Sequence, residues 1–332
     1  MRTSFVFADF YQYNGVNLEN QSKGLPMAIL NFGSLNIDHV YRVDTFVQPG
    51  ETKHSKSYMI NSGGKGLNQS IAAAKAGSLV FHAGLAGRDG GFLVEKLQAA
   101  GVNTSLMQAS PEVSGHAIIQ VADSGQNSIL LYGGTNQMLT EVYIDQTLDA
   151  FGDDGLVLLQ NETNLVGEII EKASKKGLKV ALNAAPYSDK VHTYPIHLLD
   201  WLIVNEVEGA EIAGGEADEG LLQRLAELYP QTGILLTLGS RGAQCVQNGH
   251  YSSISSCKVK AVDTTAAGDT FSGFFLYGVM EGLSIAETLR LATVASAICV
   301  QRPGAADSIP TLTEVRQAMR DGSLTPPEVQ EW

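Results

Sequence analysis

Four short apolar runs constrain this chain more than any other feature. They are Gly155-Leu156-Val157-Leu158-Leu159, Lys179-Val180-Ala181-Leu182, Trp201-Leu202-Ile203-Val204 and Ile234-Leu235-Leu236-Thr237. A strand that is apolar on both sides must be covered on both sides, and a parallel sheet between two helix layers meets that condition. Between the first two runs, Val166, Ile169, Ile170 and Ala173 fall at i, i+3, i+4 and i+7, and Gly177 follows as a C-terminal cap. Ala28-Ile29-Leu30-Asn31-Phe32 reads as the first strand, with another near 79–84. Helices are expected near 66–76, 90–100, 269–281, 284–300 and 311–320. The expected fold class is α/β, with a three-layer core in which helices flank a central, mostly parallel sheet.

Segments near 38–60 and 113–132 mix apolar and polar residues, as in Gly115-His116-Ala117-Ile118-Ile119-Gln120-Val121. Such strands suit a smaller sheet with one wet face, here a β-sheet lid inserted in the core. The expected organisation is an extension over residues 1–26 and one α/β domain with its lid over 27–325.

A net charge of −13 argues against nucleic acid or an anionic membrane as the main partner, since both need clustered Lys and Arg. No run reaches the roughly 18 apolar residues of a membrane span, and residues 1–26 lack a signal-peptide pattern. Cys245, Cys257 and Cys299 form no CxxC pair. A turn at Asn248-Gly249 pairs position 245 with 252 rather than 257, so no disulfide is expected and a reducing cytoplasm fits.

Polar clusters follow the apolar runs, where an open α/β sheet binds its ligands. Asn36-Ile37-Asp38 follows the first strand, and as a feature alone it also reads as an Asx turn. In Asn61-Ser62-Gly63-Gly64-Lys65-Gly66-Leu67-Asn68, glycines let backbone approach a ligand, and Lys65 and Asn68 open a helix rich in small residues. The spacing fits neither GxxxxGK[ST] nor GxGxxG. Glu162, in Gln160-Asn161-Glu162-Thr163, is either a hydroxyl acceptor or part of a helix cap. Asn205 and Glu208 share a helix face at i, i+3, and suit either a hydrated Mg²⁺ or an acidic helix N-terminus. Thr237-Leu238-Gly239-Ser240-Arg241-Gly242 is a hairpin turn or a bed for phosphates.

The stretch Asp263-Thr264-Thr265-Ala266-Ala267-Gly268-Asp269 places small residues and a carboxylate where a helix starts. Free N–H groups and the helix dipole attract anions there. A first-turn aspartate alone is ordinary, but Ala266, Ala267 and Gly268 leave the amides bare. Phosphoryl transfer needs both a carboxylate for the acceptor's proton and donors for the phosphate.

Asn36-x-Asp38, GGKG at 63–66 with Asn68, Asn205-x-x-Glu208, the TLGSRG turn and DTTAAGD, in this order, resemble the ribokinase branch of the PfkB carbohydrate kinases. The resemblance runs from about residue 27 to about 320. It implies an ATP-dependent kinase of a sugar's primary hydroxyl, D-ribose first, with deoxyribose, a nucleoside or another sugar as same-fold alternatives. A sugar-binding protein without catalysis is a further alternative. Asp269 would be the base, and backbone amides over 266–269, including those of Ala266, Ala267 and Gly268, the anion hole. Asn36, Asp38, Gly64, Lys65, Asn68 and Glu162 would bind the sugar together with Asp269. Asn205, Thr237, Gly239, Gly242 and Gly268 would bind ATP, with Glu208 near Mg²⁺. Asp263, Thr265, Cys299, Arg302, Gly304 and Ser308 match the positions that hold K⁺ in ribokinases, mainly through backbone carbonyls. The resemblance also implies a homodimer formed through the lid. The wider family usually has Gly where this chain has Ala266.

Overall fold

A computed structural model describes residues 27–332, so the extension expected over residues 1–26 lies outside the described residues. Strand β1 spans Ile29–Phe32, followed by β2 (Asn36–Val43) and β3 (Ser57–Gly63). The helix Lys65–Ala76 leads to β4 (Val80–Ala83), β5 (Leu85–Ala86), the helix Gly91–Ala99, β6 (Gln108–Ala109), β7 (Gly115–Ala122) and β8 (Asn127–Tyr132). Next come the helix Glu141–Phe151, β9 (Leu156–Gln160), the helix Val166–Lys175, β10 (Lys179–Asn183) and β11 (Trp201–Asn205). Helices Glu206–Ala213 and Leu221–Leu228 precede β12 (Gly233–Thr237), β13 (Ala243–Gln247) and β14 (His250–Ile254). Helices Ala267–Met280, Ile285–Cys299 and Leu312–Arg320 and strand β15 (Val329–Glu331) complete the described chain.

The large sheet has nine strands in the order β15-β14-β13-β12-β11-β10-β9-β1-β4. Its strands from β4 to β12 are parallel, and β13, β14 and β15 form an antiparallel edge. The apolar runs are continuous because alternate residues feed two cores. Leu156 and Leu158 pack with the helices at 65–76, 91–99, 267–280, 285–299 and 312–320. Val157 and Leu159 pack with those at 141–151, 166–175, 206–213 and 221–228. Each of these four side chains is fully buried, which contributes roughly 1.5–3 kcal/mol apiece. The α/β three-layer expectation holds.

At the hairpin, Cys245 pairs with Ser252 as the turn spacing required, and all three cysteines are free thiols. Asn248 and Gly249 both have positive φ, 51° and 77°, the geometry a two-residue primed turn needs. Strand β15 lies beyond residue 325 and pairs with β14, closing that edge of the sheet. A second sheet, in the order β3-β2-β7-β8, draws on residues 36–63 and 115–132. No helix among the described residues is long and apolar enough to cross a membrane.

The small residues of Lys65–Ala76 have a packing reason. A Cβ built on Gly273 would lie 2.4 Å from Ala72 Cβ and 2.7 Å from Ala73 N. The helix Ala267–Met280 therefore rides directly on the helix Lys65–Ala76, and their first turns meet. Gly273→Ala should destabilise the fold by about 1–3 kcal/mol through overpacking. Gly167 is the control, because its added Cβ would find nothing nearer than Tyr194 at 3.5 Å. Gly167→Ala should stabilise by up to about 1 kcal/mol through helix propensity. Urea unfolding of both variants checks this, and a Gly273→Ala protein as stable as the parent contradicts the close packing.

Candidate active site

The carboxyl ends of β1 and β9 to β12 meet the first turns of the helices Lys65–Ala76 and Ala267–Met280. Two adjoining cavities open there. The first, about 200 Å³, is lined by Lys65, Asn183, Asn205, Glu208, Thr237 and the stretch Ala266–Asp269, among others. The second, about 380 Å³, is more apolar, with Cys257, Val259, Ala261, Phe271, Ala297 and Val300 in its wall. Thr237, Thr264, Ala267 and Gly268 line both. A compact polar chamber thus runs into an apolar groove across a helix N-terminus.

Asp269 is 7% exposed and makes two charge-assisted bonds. Asn68 Nδ2 donates to its Oδ2 and Gln69 Nε2 to its Oδ1, each at 2.9 Å. No side chain caps this helix, and no described residue accepts from the backbone N–H of Gly268 or Asp269. A Cβ on Gly268 would meet nothing within 4 Å, and Gly268 lines both cavities, so there is open space beside this helix start. Ala266 occupies the N-cap position with φ 59°, in the left-handed region. That conformation costs an alanine about 1–2 kcal/mol and a glycine nothing, which accounts physically for the family's glycine at this position.

Lys65 faces the first cavity, and among the described residues no acidic group lies within ion-pair distance of it. Burial works against its charge, but the carboxylates of Asp269, Glu162 and Glu208 outweigh that and raise its pKa. Asn205 and Glu208 form a reciprocal capping box on Glu206–Ala213: Glu208 N donates to Asn205 Oδ1 and Asn205 N to Glu208 Oε2, both at 2.9 Å. Cap and cavity wall are one structure here, since the box uses only Oε2 of Glu208. Burial raises the Glu208 pKa, so a nearby cation would favour its ionised form. Thr237 donates to Val204 O at 3.3 Å, and Gly239 and Gly242 have positive φ, 56° and 106°, in the hairpin turn that borders the groove.

Glu162 is a latch. Its Oε2 accepts from the Ser34 hydroxyl and, at 2.9 Å, from Lys65 N. Burial raises its pKa, partly opposed by the bond from Ser34. Gly64 has φ 94°, and a Cβ on it would lie 2.9 Å from Ser34 O. Asp38 lies against Gly63, where an added Cβ would overlap its carboxylate. Burial, and then the charge of Glu162, push Asp38 up to about 7. Asn36 is partly consumed by the fold, because its Oδ1 accepts from Asn136 Nδ2 at 2.8 Å.

Asp263 ties two loops together. Its Oδ1 accepts from Thr265 N and Oγ1, at 2.9 and 2.6 Å, and its Oδ2 from Gly304 N at 3.0 Å. Burial alone would raise its pKa, but these hydrogen bonds lower it. Cys299 Sγ lies 3.0 Å from Ser308 Oγ and contacts Thr265 O at 3.8 Å. Arg302 joins this cluster through its backbone, whose N–H donates to Cys299 O at 3.0 Å, while its side chain turns out to Glu314 at 2.6 Å.

Several residues at this site escaped sequence reasoning. Gln69, Gln160 and Asn31 back up Asp269, Ser34 accepts from Gly66 N in the first turn of the helix Lys65–Ala76, Asn136 holds the start of β2, and Asn183 lines the polar cavity. Asn31 and Gln160 leave a signal of a kind: each is a polar residue in an otherwise apolar buried strand.

Comparison with known proteins agrees with this geometry. The family described as pfkB family carbohydrate kinase matches residues 28–312. A ribokinase of Haemophilus influenzae is 38% identical over 294 residues, spanning 85% of this chain and 95% of that protein. The crystal structure of ribokinase from Cryptococcus neoformans in complex with ADP superposes with a TM-score of 0.76 at 34% identity, covering 88% of this chain and 99% of that one. The Arabidopsis thaliana ribokinase complexed with ribose and ATP gives 0.79 at 28% identity, covering 89% and 99%. The chain belongs to the pfkB family of carbohydrate kinases.

Proposed function

We propose that this enzyme transfers the γ-phosphoryl group of ATP to the primary hydroxyl of D-ribose, giving ribose 5-phosphate and ADP. The observation that carries the reading is the Asp269 carboxylate beside the bare amides of Gly268 and Asp269, at the junction of a polar chamber and an apolar groove. The sugar hydroxyl gives its proton to Asp269 as its oxygen bonds to the γ-phosphorus. The bond from that phosphorus to the β–γ bridging oxygen breaks, and ADP leaves with the electron pair. The free amides of Gly268 and Asp269 and the Lys65 ammonium stabilise the charge on the transferring group, whereas the Ala267 amide, expected in the anion hole, already donates to Thr264 O at 3.3 Å. Asn36, Asp38, Gly64, Asn68 and Glu162 hold the sugar, and Thr237, Gly239, Gly242 and Asn205 lie along the nucleotide.

Glu208 would hold Mg²⁺, which supplies charge neutralisation for the phosphates. Its free carboxylate oxygen and Asn205 are hard oxygen donors, which fit that ion. The oxygen-rich loops at 263–265 and 302–308 fit K⁺ through Asp263, Thr265, Gly304 and Ser308, with Cys299 and the Arg302 backbone alongside. The four-stranded sheet acts as a lid within a single domain that starts at 27 and runs past the expected end at 325, because β15 at 329–331 belongs to the large sheet. Its exposed Met59, Ile60, Ile129, Leu130 and Leu131 support a homodimer formed through it. Three free thiols support a reducing cytoplasm.

A coupled ADP-release assay over pentoses, deoxyribose, hexoses and nucleosides, with and without K⁺, tests the reading. Ribose should give the highest kcat/KM, and turnover no faster with ribose than without any sugar overturns it. Asp38 adds a pH signature. Sugar hydroxyls donate to the ionised carboxylate, so binding lowers a pKa that starts at about 7 and releases a proton. Ribose affinity should therefore rise as pH increases from 6 towards 7.5 and level off above, and Asp38→Asn should remove the slope. Calorimetry in two buffers of different ionisation enthalpy reads the proton; an affinity flat from pH 6 to 8 contradicts the assignment. Glu208→Gln retains an acceptor for Asn205 N. It should leave Tm unchanged while raising the Mg²⁺ concentration needed for half-maximal turnover roughly tenfold or more.

A further inference from the structure

Behind Asp269 the core holds a line of polar side chains that no packing argument requires. Gln69 Nε2 donates to Asp269 Oδ1 at 2.9 Å. Gln160 Nε2 donates to Gln69 Oε1 at 2.9 Å and to Asn31 Oδ1 at 3.1 Å. Asn31 Nδ2 donates to Gly66 O and to Ser70 Oγ, both at 2.8 Å, and Ser70 Oγ lies 2.8 Å from His82 Nδ1. Gln69, Gln160, Asn31, Ser70 and His82 are all fully buried.

The chemistry at Asp269 fixes the orientation of each amide behind it. An ionised carboxylate only accepts, so Gln69 must turn its amide nitrogen to Asp269 and its carbonyl to Gln160. Gln160 then faces two acceptors, Gln69 Oε1 and Asn31 Oδ1, and only its nitrogen serves both. Asn31 is left with its nitrogen towards Ser70. The Ser70 hydroxyl accepts from Asn31 and pairs with His82 Nδ1, and burial pushes His82 down to about 4, so the line ends on a neutral ring. The arrangement leaves Gln160 Oε1 buried without a hydrogen-bond partner among the described residues, a penalty an apolar strand would avoid.

We infer that Gln69, oriented by Gln160 and Asn31, is a positioning residue that fixes the rotation of the Asp269 carboxylate for proton transfer from the acceptor hydroxyl. The inference rests on the proposed role of Asp269 as proton acceptor. Asn68 also grips the carboxylate, at Asp269 Oδ2, but its own Oδ1 has no partner among the described residues, so nothing behind it sets its orientation. Gln69 cannot turn over without setting its carbonyl against Asp269 Oδ1 and its amide nitrogen against Gln160 Nε2.

The test compares Gln69→Met, Gln69→Glu and Gln160→Met with the parent in steady-state kinetics with ribose and ATP, in ribose calorimetry and in thermal unfolding. Gln69→Met should lower kcat roughly 10- to 100-fold while KM and the ribose Kd stay within about threefold, because only the reacting carboxylate is disturbed. Gln160→Met should give a smaller loss in the same direction. Gln69→Glu is nearly isosteric and places two carboxyls around one proton, so its activity should begin only at higher pH than the parent's. Loss of kcat with a matching loss of ribose binding would assign Gln69 to the fold alone and overturn the inference. Parental kcat and pH profile in Gln69→Met and Gln69→Glu would overturn it as well. A parent without sugar-dependent turnover would instead refute the function on which the inference rests, and is read before any variant.

Discussion

The site depends on one carboxylate held in one place. Asp269 sits in the first turn of a helix whose N–H groups are uncapped, and two amide side chains from a second helix grip its oxygens. The two helices can meet there only because Gly273 lets their backbones touch at Ala72 and Ala73. Packing therefore brings together a proton acceptor and an anion-binding helix end, which chemically are opposites. The bare amides of that helix end remain available to a phosphate.

Around that point the charges are arranged in opposition. Lys65 is a buried cation whose charge is maintained by three carboxylates, Asp269, Glu162 and Glu208, without a tight ion pair to any of them. A cation held by a diffuse field rather than by one partner stays free to meet a phosphate. The carboxylates are tied instead to backbone: Glu162 to Lys65 N and Glu208 to Asn205 N. Residues that read as helix caps in the sequence are caps in the structure, and they are cavity walls too. The two readings of Asn205 and Glu208 were never exclusive.

Much of this was legible in the sequence because it follows from unavoidable constraints. Two-sided burial forces the apolar continuity of Leu156 to Leu159, and the glycines at 63, 64 and 66 signalled close approach, which the structure makes to the Asp38 carboxylate and to the backbone at Gly33 and Ser34. The hairpin register followed from Asn248-Gly249 alone. What could not be read has equally physical reasons. Strand β15 is three residues long at an edge and needs no apolar pattern. Gln69 follows Asn68 in a helix where sequence spacing does not reveal which of two amides reaches the carboxylate. Both do, one to each oxygen. Gln160 and Asn31 interrupt apolar strands, and their partners lie 91 and 39 residues away. Asn36 was found by its position, but its bond to Asn136, 100 residues on, needed the fold.

The most direct test of the account is Asp269→Asn, with ribose binding and turnover measured on the same protein. The substitution is structurally accommodated, since Asn68 can turn its partnerless Oδ1 towards the new amide while Gln69 keeps an oxygen to donate to. The account predicts ribose affinity within a few-fold of the parent's and a turnover lower by about 10²- to 10⁴-fold, the contribution expected of a positioned base. Turnover within tenfold of the parent, with ribose still bound, would contradict it.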